Sequence, residues 1–123
     1  MDKTVLAAAS FDKEKYYINS EYSALPESIK QEIKEICIPL AEKLMCTFII
    51  GFGDGGEVYF ETVKSDEIPD FDDIGAELEI KRTAKEKKEL LKALKLWYLI
   101  YKTDEGENVK KRLLEGKDVL AEE

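Results

Sequence analysis

The chain has 123 residues, 44% of them hydrophobic and 37% charged, and a formal net charge of −8. That length supports one domain with a core of its own, and the mix excludes both a disordered chain and a membrane-spanning one. The acidic balance opposes nucleic acid and anionic lipid as partners, and the complete lack of histidine removes Cys/His zinc sites and histidine-based acid–base or nucleophile systems.

The apolar run over residues 5–9 is shorter than the core of a signal peptide, and Asp2 stands in front of it. It reads as part of a first strand over 4–9, in a protein expected in the cytoplasm. The turn-forming "SFDKEK" leads to a second strand over 16–19, giving an N-terminal hairpin. Pro26 is expected to open a helix, because its missing N–H would be unpaired there in any case. Glu27 suits the positive end of that helix. Ile29, Ile33, Ile36, Leu40 and Leu44 recur at three- and four-residue steps, which places them on one face. Pro39 lies inside the pattern and is expected to kink the helix or split it near Ile38. Of the two cysteines, Cys37 falls on the same apolar face and reads as a buried thiol.

Residues 47–50 and 58–63 are rich in β-branched and aromatic side chains, and read as strands. Between them lies "GFGDGGEV", beginning at Gly51, which matches G-x-G-x-x-G and also the longer glycine-rich loop of protein kinases. A dinucleotide fingerprint must lead into a helix, whereas a strand pattern follows Gly56. The kinase loop is itself a hairpin, but V-A-I-K, H-R-D and D-F-G are all missing here. The stretch is expected to be a type I′ turn centred on Asp54 and Gly55, with φ above zero at both.

"SDEIPDFDDIG", residues 65–75, reads as an acidic loop. Asp70, Asp72 and Gly75 follow the start of a calcium-loop spacing, but Ile74 and Lys81 fall where oxygen ligands are required. Over residues 76–82, Ala76, Leu78 and Ile80 alternate with charged residues, which favours a fifth strand; a continuous helix from about Phe71 is the alternative. Thr83 and Glu86 have the spacing of a capping box that opens a helix over 83–102. Its inward stripe is expected to be Leu91, Leu94, Tyr98 and Tyr101. Gly106 ends it, and Asn108 opens a short terminal helix carrying Val109, Leu113 and Leu114 before a frayed tail.

Charge changes sign along this half of the chain. Residues 61–79 hold eight acids against Lys64, and residues 81–95 hold seven bases against Glu86 and Glu89.

The elements imply an α+β fold in one domain, 1–123, with its core over about 3–103. An antiparallel sheet of four to five strands carries a long C-terminal helix packed on it. This order resembles the roadblock and profilin-like modules. "KYYIN" (15–19), "LPESIKQEI" (25–33) and "ELLKALKLWY" (89–98) are similar to a family of small uncharacterised proteins from anaerobic Gram-positive bacteria. The resemblance implies the same hairpin, Pro-led helix and Leu-rich C-terminal helix, and it transfers no catalytic residue.

The leading functional expectation is a non-enzymatic interaction or adaptor module that forms a homodimer. Residues 96–101 are all apolar, and Leu96, Trp97, Leu99 and Ile100 are the expected interface, with Trp97 as its anchor. The tail around Leu113 is the other possible cover for that patch. The alternative is a ligand- or metal-binding sensor or enzyme using the acidic cluster at 66–79, including Asp70, Asp72, Asp73, Glu77 and Glu79. Lys81, Arg82, Lys85, Lys87, Lys88, Lys92 and Lys95 lack the interleaved aromatics of a nucleic-acid surface. No catalytic residue, cofactor, resident metal, nucleic acid or membrane is expected.

Overall fold

A computed structural model describes residues 3–64 and 72–101. The expectations for residues 65–71, for Gly106 and for a terminal helix at Asn108, Val109, Leu113 and Leu114 lie outside the described residues. In chain order the elements are β1 (Thr4–Ser10), β2 (Lys15–Ile18), a 3-10 turn (Ser20–Tyr22), α1 (Glu27–Leu44), β3 (Thr47–Phe52), β4 (Val58–Val63), α2 (Asp73–Glu86) and α3 (Lys88–Tyr101). The strands make one antiparallel sheet in the order β2-β1-β3-β4. The fold is thus α+β, with four strands and three helices among the described residues.

The register sorts the side chains into two faces. Ala7 pairs with Ile18 and Ile50, and Ile50 with Phe60; Ala9 pairs with Tyr16 and Phe48. These residues share one face with Phe52 and Val58, and they form the core with Ile33, Ile36, Cys37, Leu40 and Ala41 of α1. Full burial of a Phe, Ile or Leu side chain stabilises the fold by about 1.5–3 kcal/mol each, before entropy is subtracted. The small Ala7 and Ala9 at the centre leave room for the large Phe48 and Phe52 beside them. The opposite face carries Ala8, Tyr17, Ile49, Tyr59, Glu61 and Val63, and no described helix joins these residues in the core.

A bulge fixes this register. Val5 pairs with Gly51 and Ala7 with Ile50, so Leu6 is the extra residue and is fully buried. Its carbonyl accepts the Asn19 N–H at 2.8 Å, while the Asn19 side-chain amide donates to the Val5 carbonyl at 2.8 Å. At Gly51 an added Cβ would lie 2.5 Å from the Thr4 carbonyl oxygen, so the strands approach closely there only because the side chain is absent.

Pro26 does open α1, at its N-cap position. Of the kink or split expected at Pro39, the split near Ile38 does not occur: α1 runs from Glu27 to Leu44 as one helix. Pro39 is exposed, so the carbonyl that loses its N–H partner lies on the wet side of the helix. Met45 closes α1 in the left-handed region, φ 53°, and the Cys46 N–H bonds to the Ala41 carbonyl at 3.1 Å.

The glycine stretch is a hairpin turn, as expected, but not of the expected type. The Gly56 N–H closes on the Gly53 carbonyl at 3.1 Å, and the Gly53 N–H bonds to the Glu57 carbonyl at 2.8 Å. Positive φ occurs at Gly56 (88°), not at Gly55. This is the three-residue alternative to a type I′ turn, with the left-handed residue at the end of the turn.

Two further expectations are overturned. Residues 76–82 are not a fifth strand. They lie inside α2, whose N-cap Asp72 accepts the Gly75 N–H at 2.9 Å. The helix expected over 83–102 is two helices, broken at Lys87 (φ −104°, ψ 24°). Thr83 is therefore a buried residue inside α2 rather than a cap.

Candidate functional site

α2 turns two apolar side chains outwards. Ala76 is buried and Ile80 packs on the core, so the helical period directs Ile74 and Leu78 to the other side. Ile74 is 75% exposed and Leu78 62%. They sit one turn apart, with acids beside them. Asp73 pairs with Lys64 at 3.3 Å and Glu77 with Lys81 at 3.3 Å, and all four side chains are well exposed. Glu79 is different: its carboxylate takes the Lys43 ammonium of α1 and the Arg82 guanidinium, each at 2.6 Å. These two donors hold its carboxyl below the usual carboxylate range. Among the described members of the acidic cluster, then, Asp72 caps α2, Asp73 and Glu77 form surface pairs, and Glu79 ties α2 to α1. No group of three potential metal ligands converges among the described residues.

Beside the end of α2 lies a groove of about 240 Å³. Val58 of β4, Ala84 of α2 and Leu91 of α3 line it with apolar surface, and Lys88, Lys92 and Lys95 stand around it with Glu57. The three lysines recur at four- and three-residue steps, so they share one stripe of α3.

The expected interface at 96–101 is only half exposed in the single chain. Trp97 packs on Tyr22, with ring centroids 5.6 Å apart, and on Tyr101 at 5.2 Å. Tyr98 meets Phe52 at 4.9 Å. The inward residues of α3 are Leu90 and Leu94, with Trp97 and Tyr98 at the edge of the core. The expected stripe of Leu91, Leu94, Tyr98 and Tyr101 is rotated, because Lys87 resets the helix: Leu91 lines the groove and Tyr101 is exposed. Leu96, Leu99 and Ile100 are half-buried.

A second and wider groove, about 700 Å³, separates the tip of the β1–β2 hairpin from α1. Phe11, Tyr16, Ile38 and Ala41 line it, along with the acids Asp12, Glu14 and Glu42. The Tyr16 hydroxyl is buried without a hydrogen-bond partner, and burial pushes it up to about 12. Burial also pushes the thiols of Cys37 and Cys46 up, to about 12 and about 11. Both stay protonated at neutral pH and are poor nucleophiles.

The exposed pair on α2 was hidden in the sequence by its own alternation. Ala76, Leu78 and Ile80 match a strand as well as a helix, and only Asp72 three residues before Gly75 marks the cap that decides the matter. The groove was hidden because Val58 is distant in sequence from Ala84 and Leu91. In the kinase-like and dinucleotide-like glycine stretch, the N–H groups of Gly53 and Gly56 are both used within the turn. No described helix is long and apolar enough to cross a membrane.

Comparison with curated proteins, and with solved structures, finds no significant match to either. The chain belongs to the family of unknown function DUF6145, whose model matches residues 3–106.

Proposed function

We propose that this chain is a non-enzymatic interaction module that works as a homodimer. The observation that carries the reading is the pair Ile74 and Leu78, 75% and 62% exposed on a well-formed helix. Single exposed apolar residues are ordinary, but an adjacent pair on one helix face is the pattern of a contact surface. The acids nearby support binding rather than chemistry: Asp72 caps α2, Glu79 ties α2 to α1, and Asp73 and Glu77 form exposed surface pairs. Leu96, Leu99 and Ile100 are half-buried and add apolar surface at the far end of α3.

Sedimentation velocity over a wide concentration range tests the reading. A dimer whose population rises with concentration supports it, and a protein that stays monomeric to about 1 mM sinks it. A second reading is favoured by Tyr17 and Val63, 53% and 45% exposed on the face of the sheet that no described helix covers. It places the contact there, and Tyr17→Glu with Val63→Glu would then dissociate the dimer.

A further inference from the structure

We draw no further inference here: the strongest candidate, the exposed Ile74–Leu78 pair on the outer face of α2, carries nothing beyond the reading above, because nothing in the structure shows what covers it.

Discussion

α1 and α2 are both amphipathic helices of similar construction, and they spend their apolar residues in opposite ways. α1 buries Ile33, Ile36, Cys37, Leu40 and Ala41 against the sheet. α2 buries only Ala76 and Thr83 fully and holds Ile74 and Leu78 out. A helical period says that a face is apolar; it does not say what covers it. In α1 the cover is Phe48, Ile50 and Phe52, supplied by the next strand. In α2 the inward side is made of small or mixed residues, and the large apolar pair has no cover among the described residues.

The sharpest way to test this contrast is to cut one apolar residue from each helix. Ile33→Ala removes a fully buried side chain beneath α1 and should cost about 2–5 kcal/mol in urea unfolding. A loss under about 1 kcal/mol would mean that α1 is not the main cover of the sheet.

Next in size is Gly56→Ala. The residue sits at φ 88°, and an added Cβ would lie 2.5 Å from the Tyr98 ring of α3. Backbone strain and the displaced ring together should cost about 1–3 kcal/mol. Gly55→Ala should cost far less, because only the end of the flexible Glu57 side chain is in the way. Equal losses at the two glycines would return the turn to the type I′ form that Asp54 and Gly55 suggest.

Smaller again is Glu79→Gln, which loosens the one described ion-pair link between α1 and α2. The Lys43 and Arg82 donors lower the Glu79 pKa in the folded state. A depressed carboxyl stabilises the fold above its unfolded pKa, and that contribution is lost as pH falls through the folded value. The variant should therefore be less stable than wild type at pH 7, and the gap should close in strong acid. Hydrogen exchange should quicken in α2 while α1 is unchanged; faster exchange in α1 would contradict the division between the two helices.

The smallest effect belongs to Leu78→Ser. In the monomer it should change stability by less than about 0.5 kcal/mol, since the side chain is already wet. A large loss would show that Leu78 is covered within its own chain.

Sequence periodicity located the hairpins and α1 because there the local signal and the tertiary demand agree: Ala7, Phe48, Ile50 and Ile33 each face the core that their pattern implies. It failed at residues 76–82, where Ala76 and Ile80 fit two periods at once and the deciding packing is remote in sequence. It also allowed a split at Pro39 that does not occur, and it misplaced the left-handed glycine. A proline on the wet side of a long helix leaves its orphaned carbonyl to water, and the turn type depends on how the flanking strands pair. The groove is a three-element feature of β4, α2 and α3, so no local pattern could announce it. Trp97 was legible as an important aromatic, but not that Tyr22, on the turn after β2, would partly cover it.

The place of β1 in the sheet has a consequence for how the chain comes off the ribosome. β1 emerges before the other described strands, yet it ends up between β2 and β3, and all of β2, the 3-10 turn and α1 are made before β3 exists. The hairpin with β2 closes over a short loop and can form early, but an isolated two-stranded hairpin is marginal in water. Ala7 and Ala9 must wait for Ile50 and Phe48 to arrive across a long loop, the kind of distant pairing that slows folding. Until then β1 offers an unpaired edge, so a nascent chain stalled before Thr47 is the form most at risk of pairing with a neighbour.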